Sequence, residues 1–179
     1  MATLPIITFP HPCLRKRARP ISVFDDDLRR LLDDMVDTMK DAPGIGLAAP
    51  QIGVAKRVLV MNCSRDETNN QDTHHIINPE IVWVSEEESV CEEGCLSIPQ
   101  QYAEVTRPAE VHVRYQDGDG KNREQQFSGL EATCVQHEID HLDGILFWDY
   151  LSITKRSMMQ RKLKKLLKEH KTNTEQDQS

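Results

Sequence analysis

The sequence predicts a single α+β domain, and three observations carry that expectation. Its 179 residues suit one hydrophobic core and leave little room for a second. Two stretches, Leu28–Met39 and Leu130–His141, repeat at the three- and four-residue spacing of a helix face. Between them the apolar runs are strand-sized and are separated by Pro, Gly and acidic turns.

Composition narrows the class. Hydrophobic residues make up 38% and charged residues 28%, the balance of a globular protein. The longest clean apolar runs are of the size of Val58–Met61, so no membrane contact is expected. The first ten residues lack a basic opening followed by an apolar stretch, and no secretory signal is expected there. Five cysteines, Cys13, Cys63, Cys91, Cys95 and Cys134, are an odd and scattered set. They fit a reducing, cytoplasmic setting better than a disulfide framework. The formal charge of -7 is unevenly placed: eight Lys/Arg and one Glu between Lys155 and Lys171 give +7, leaving -14 elsewhere.

Taken in order, residues 1–24 with Pro5, Pro10, Pro12 and Pro20 read as an extended arm. Asp25, Asp26 and Asp27 open a helix with negative charge at its positive end, and its apolar face runs from Leu28 to Met39. Gly44–Gly53 is apolar and Gly-rich, with one useful polar side chain, Gln51. It reads either as a plain turn or as a close approach to a ligand, with the amide available to an oxyanion. Lys56–Asn62 is a strand candidate, and Ser64–Thr73 reads as an exposed loop. His74–Asn78 and Glu80–Val90 are expected as further strands around Pro79 and the acidic Glu86–Glu88. Tyr102–Val105 and Ala109–Gln116 follow as strands, the latter paired with Arg123–Phe127 through the Asp117–Gly120 turn. Ile145–Tyr150 is a connector. Lys155–Lys171 is expected as the last helix, with Met158, Leu163, Leu166 and Leu167 as its apolar residues, and 172–179 as a frayed tail.

The chemistry lies in Gln136-His137-Glu138-Ile139-Asp140-His141. On a helix, His137 and His141 stand one turn apart on one face and can close on a single metal ion. Glu138, beside the first, can act on a water at that ion. Asp143-Gly144 supplies the stop. A catalytic site commonly has three protein ligands and one open position. Phe147 occupies the place of a third His ten residues after the first, and only Glu169 and Glu175 lie downstream as carboxylates. Cys134 shares the helix face but stands seven residues from His141, about 10.5 Å of rise, and is better read as a wall residue. Cys95, in the unusual stretch Cys91–Pro99, can approach from a separate segment and is the preferred third ligand. With Glu138 as base and acid, and with Gln51 and a backbone N–H beside Cys95 as oxyanion donors, such a site would hydrolyse an acyl or amide bond.

Three segments together resemble the motifs of peptide deformylases: Gly44–Gln51, Glu-Gly-Cys-Leu-Ser at Glu93–Ser97, and Gln136–His141. The similarity runs from about residue 4 to 170 and is nearest the bacterial type with a long C-terminal helix. It implies a hydrolase that removes the N-formyl group from the first Met of nascent polypeptides and releases formate. Cys95, His137 and His141 would hold the metal, generally ferrous iron (Fe2+), with Zn2+, Ni2+ or Co2+ able to replace it. Glu138 would move protons, and Gln51 with the Leu96 N–H would stabilise the tetrahedral intermediate. The resemblance places Ile45, Gly46, Leu130 and Cys134 around the substrate's Met side chain, with Cys91 and Thr133 adjoining. Many relatives carry larger aliphatic residues at the last two. Pro50 and Tyr102 also depart from the common pattern. Arg107 resembles a residue that braces Glu93, with a surface ion pair as the competing account. The last helix is associated in the family with docking on the ribosome near the tunnel exit. Here its +7 charge could serve RNA phosphates, or the helix could simply be solvated.

The expected architecture is therefore α+β, with mostly antiparallel sheets around a central metal-binding helix, plus an N-terminal and a C-terminal helix. One catalytic domain is expected over 1–171, acting as a monomer on formyl-methionyl peptides. A zinc peptidase or a ribosome-binding protein with a structural metal are the rivals. The first would need a third His or Glu ligand, the second a closed four-ligand site.

Overall fold

The structure, a computed structural model, describes residues 2–64 and 72–176. Its element order is helix, five-stranded sheet threaded around a hairpin, helix, helix. Helix α1 spans Asp26–Asp41. Strands β1 (Gly46–Ala48), β2 (Val58–Met61), β3 (His74–Val84), β6 (Glu110–Gln116) and β7 (Asn122–Ser128) form one antiparallel sheet in the order β1-β2-β3-β6-β7. Strands β4 (Glu88–Cys95) and β5 (Ile98–Pro108) form a separate two-stranded sheet. Helix α2 spans Gly129–Leu142 and helix α3 Ile153–Gln176. This is the α+β arrangement expected from the sequence.

The larger sheet is covered on both faces, which is why β2 reads as an unbroken apolar run. Val58 and Val60 point toward α1, joining Leu28, Leu32, Met35 and Met39 in one core. Leu59 and Met61 point the other way, joining Ala132, Val135, Ile139 and Leu142 of α2. A third core lies where Ile98, Ala103 and Val105 of β5 meet Phe147, Trp148 and the α3 residues Met159 and Leu163.

Helix α1 starts where its acidic cluster indicates. The Asp25 carboxylate accepts from the Leu28 N–H at 3.0 Å, satisfying one of the free donors of the first turn. Helix α2 ends as expected too: Gly144 adopts φ +75°, and a Cβ there would come within 2.6 Å of the Arg15 carbonyl oxygen. In the Asp117–Gly120 turn, Asp117 accepts from the N–H groups of Asp119 and Lys121 and from Arg123, so the hairpin consumes its own carboxylate.

Several expectations are corrected. The chain does not break at Pro79: β3 runs through it, because a register shift between Ile77 and Glu80, with Asn78 at φ +51°, takes the residue without an N–H out of the ladder. The stretch Glu80–Val90 is divided at Ser85–Glu87, beside the acidic residues 86–88, where β3 turns into β4. Strand β5 starts at Ile98 and is longer than Tyr102–Val105. The arm over residues 1–24 contains one short 3-10 turn, Pro12–Arg15. The last helix starts before Lys155 and continues to Gln176, past the expected boundary at 171. Its buried methionine is Met159, not Met158, which is 51% exposed: only 159 keeps the four-residue spacing to Leu163. Most of the loop expected over Ser64–Thr73 lies outside the described residues, as do 177–179 of the tail. No helix among the described residues is long and apolar enough to cross a membrane.

Candidate metal centre and reaction pocket

Helix α2 is enclosed almost all round. Residues 132–139 and 141–142 are buried, among them Gln136, His137, Glu138 and His141. The sheet covers one side. On another, the β4–β5 hairpin brings Glu93, Cys95 and Arg107 against the helix. Gln136 ties the two together, donating to the Pro108 carbonyl at 3.1 Å and to the Ala132 carbonyl at 2.9 Å.

The Cys95 sulfur, one nitrogen of His137 and one of His141 all lie within 4.8 Å of one another. Cys95 Sγ is 3.3 Å from His141 Nε2. His137 Nδ1 is 2.9 Å from Glu93 Oε1, which turns the other ring nitrogen toward the thiol. One ion with bonds of about 2.0–2.3 Å can bridge such a trio with small side-chain adjustments. The donors, one thiolate and two imidazoles, suit a transition metal or zinc and not a hard cation. His141 Nδ1 and Glu138 Oε2 are buried without a hydrogen-bond partner among the described residues. Glu138 lies against Gly46, where a Cβ would come 2.6 Å from the carboxylate. The backbone there is open because it must be. Cys134 is not in the trio; its sulfur faces the Ile45 carbonyl at 3.6 Å, as befits a wall residue.

The surrounding charges are organised around Arg107. Its Nε and one terminal nitrogen donate to the two oxygens of Glu93 at 2.7 and 2.9 Å, and its other terminal nitrogen donates to Asp140 at 2.8 Å. Both Arg107 and the Glu93 side chain are 4% exposed, so this is a buried bidentate pair and not a surface ion pair. The Tyr150 hydroxyl donates to Asp140 at 2.7 Å, and its ring lies 4.8 Å from the guanidinium carbon. Neither Asp140 nor Tyr150 was visible as a partner in the sequence, since no local spacing links them to Arg107.

The electrostatics follow. Burial pushes the Glu93 carboxyl up, but hydrogen bonds from Arg107 and His137 more than reverse this and hold it low. Burial, helped by the Glu93 and Asp140 carboxylates and opposed by His137 and Arg107, carries Glu138 up to about 7. Burial also works against charge on His137, yet the Cys95 and Glu93 contacts outweigh it and raise that imidazole. His141 is lowered by burial and by the positive charge of its neighbours.

A cavity of about 430 Å³ opens over Cys95 and His137. Its lining includes Ile45, Gly46, Leu130, Thr133 and Cys134 on one side, and Cys91, Cys95 and Leu96 on the other. Gln51, His137 and Glu138 form its floor, and Tyr102 reaches its rim. Gln51 is held by its carbonyl end, which accepts from the Ala48 N–H at 2.9 Å. Its NH2 group is thereby turned toward Ser97 Oγ at 3.3 Å and Cys95 Sγ at 3.6 Å. Ile45 is 43% and Leu130 50% exposed, two large apolar side chains left open at one mouth. His74 and His75 stay outside; His74 stands 3.6 Å from Glu131 and stacks edge-on against Phe127.

A family profile described as polypeptide deformylase matches residues 3–157. The chain belongs to that family. Among its relatives, the peptide deformylase of Zymomonas mobilis is 52% identical over 174 residues, covering 96% of this chain and 97% of its own length. That of Rhizobium meliloti is 53% identical over 168 residues, covering 94% and 96%. The crystal structure of the Legionella pneumophila deformylase superposes with a TM-score of 0.88 at 46% identity, covering 94% of this chain and 98% of that one. As a member of the deformylase family, the chain is a metal-dependent hydrolase that removes the N-formyl group from nascent polypeptides.

Proposed function

We propose that Cys95, His137 and His141 hold one divalent ion and that Glu138 moves the protons of deformylation. The observation that carries this reading is the convergence of the three donor atoms within 4.8 Å beside a buried, unpartnered carboxylate oxygen. When bound, the ion supplies Lewis acidity, polarising the formyl carbonyl and acidifying water. Glu138 takes a proton from the attacking water and delivers it to the departing amine. Gln51, its amide oriented by Ala48, and the Leu96 N–H stabilise charge developing on the formyl oxygen. Glu93 and Arg107 fix the His137 ring so that its free nitrogen faces Cys95. Ile45, Gly46, Leu130 and Cys134, with Cys91 and Thr133, receive the methionine side chain of the substrate.

The donor set accommodates iron, zinc, nickel or cobalt; family resemblance favours ferrous iron. Action on nascent chains favours the cytoplasm, and we infer a monomer. For ribosome docking, the support is the +7 charge of Lys155–Lys171, whose lysines 164, 165 and 168 are all exposed. Reversing those three charges should weaken ribosome binding and flatten its salt dependence; unchanged, salt-insensitive affinity removes the electrostatic role.

Anaerobic purification with metal analysis, followed by formate release from formyl-Met-Ala, tests the central reading. Cys95→Ala should lose the ion while Cys134→Ala keeps it. The reverse result would assign the wrong thiol.

A further inference from the structure

The wall assigned to the methionine side chain holds one hydrogen-bond donor that the described residues leave unused. Leu130, Thr133, Cys134 and His137 follow one another at spacings of three and four along α2, so they share a helix face, and all four line the cavity. A threonine inside a helix commonly sends its hydroxyl back to the carbonyl four residues earlier. Thr38 does so onto Asp34 at 2.6 Å, and Thr172 onto Lys168 at 3.0 Å. Thr133 does not: its hydroxyl makes no hydrogen bond among the described residues, nor is its oxygen one of their side-chain atoms sealed without a partner. Thr133 is only 7% exposed and stands in the cavity wall, so the opening left to that oxygen is the cavity.

The other polar side chains of this wall are committed. The Cys91 thiol donates to the Glu92 carbonyl and the Cys134 thiol to the Ile45 carbonyl, each at 3.6 Å. Ile45, Gly46 and Leu130 bring no side-chain donor. A thioether sulfur is a weak acceptor, so an intact methionine gives the Thr133 hydroxyl little to bond. Oxidation of that sulfur changes the match. Methionine sulfoxide keeps the reach of the side chain and adds one polar oxygen, fixed in one of two hands at sulfur. Burying that oxygen against hydrocarbon alone would cost free energy; a hydroxyl donor beside it removes the penalty.

We propose that the Thr133 hydroxyl fits the pocket to a second substrate class, N-formyl peptides whose first residue is methionine sulfoxide. The hydroxyl donates to the sulfoxide oxygen, while the formyl group is hydrolysed as in the unoxidised substrate. Thr133 thereby determines specificity and takes no part in the bond that breaks. The cavity of about 430 Å³, open where Ile45 and Leu130 stand exposed, has room for the added oxygen. The enzyme then releases formate from chains with an oxidised start as well as from intact ones. This inference rests on the placement of the first side chain against the wall that holds Thr133.

Formate release by the full-length, metal-loaded enzyme tests it, with formyl-Met-Ala, its two sulfoxide epimers taken separately, and formyl-norleucine-Ala, which has similar reach and no acceptor. One epimer should be used with kcat/KM within about tenfold of formyl-Met-Ala, and the other about tenfold less well, because a hydroxyl held on a helix reaches the oxygen in one hand only. Thr133→Val, close in shape but without the donor, should lower the ratio of the favoured epimer to formyl-Met-Ala by about tenfold, chiefly through KM, and erase the difference between epimers. Thr133→Ser should restore both. Ratios that Thr133→Val leaves unmoved, or a fall for formyl-norleucine-Ala as large as for the favoured epimer, overturn the proposal. Thr133→Leu separates this failure from one beneath it. The added bulk should raise KM for formyl-Met-Ala more than for formyl-Gly-Ala. If that selectivity does not move, the wall does not face the first side chain, and the pocket assignment falls together with the proposal. If it moves while the epimer ratios stay fixed under Thr133→Val, the pocket stands and the proposal alone is overturned.

Discussion

Helices α1 and α2 are of similar length, 16 and 14 residues, and pack on opposite faces of the same sheet, yet they are built on opposite rules. In α1 a single stripe, Leu28, Leu32, Met35 and Met39, faces the core, and the charged residues stay in water. In α2 there is no wet face to speak of, and Gln136, His137, Glu138 and His141 are carried inside with the aliphatic residues. Burying such groups costs free energy unless each finds a partner. The stripe of α1 explains itself by packing; the polar interior of α2 asks for a purpose and for compensation. Arg107 supplies much of that compensation by holding Glu93 and Asp140 at once.

The sharpest break between the two helices is a change that leaves the fold alone. Glu138→Ala should lower turnover of formyl-Met-Ala by about 10³-fold, with metal stoichiometry and thermal unfolding close to the parent. Near-normal formate release would take Glu138 out of the mechanism. Arg107→Ala strikes the compensation instead. It leaves Glu93 and Asp140 short of their shared cation, and should cost about 3–5 kcal/mol of stability together with a loss of metal affinity of about 10–100-fold. Urea unfolding and metal competition read the two effects separately. Stability lost with affinity intact would make Arg107 a structural residue only.

On α1 the corresponding injury is Met35→Ala. Met35 is fully buried, so removing its side chain should cost about 2–5 kcal/mol. Formate release per folded molecule should be unchanged. A matching drop in turnover would show that the two faces of the sheet are coupled and that α1 does more than pack.

The same contrast explains what could be read in the sequence. A one-sided helix writes its period into the chain, so α1 and its Asp25 start were visible. The His137–His141 pair was visible because a single turn fixes its spacing. What the sequence could not disclose was long-range partnership. Tyr150 and Asp140 meet Arg107 through the placement of the β4–β5 hairpin, and no local pattern records that. Pro79 misled because a strand break and a bulge look alike in one dimension. In α3, adjacent methionines at 158 and 159 left the inward one ambiguous until the β5 surface chose it. The extra turn to Gln176 has no apolar signal to announce it.

The smallest predicted effect concerns how the two helices begin. Asp25 caps α1 through its side chain, at 3.0 Å from the Leu28 N–H. Ser128 stands at the same position of α2 and makes no side-chain cap bond. A helix that presents only one stripe to the core depends on such terminal contacts, because little else fixes its first turn. A helix enclosed on nearly every side is fixed by what surrounds it. Asp25→Ala should therefore cost about 1 kcal/mol, while Ser128→Ala should fall within about 0.5 kcal/mol of the parent, both read from denaturant midpoints at constant m. Equal losses at the two positions would mean that α2 draws on its N-terminus after all, and that enclosure does not replace a cap.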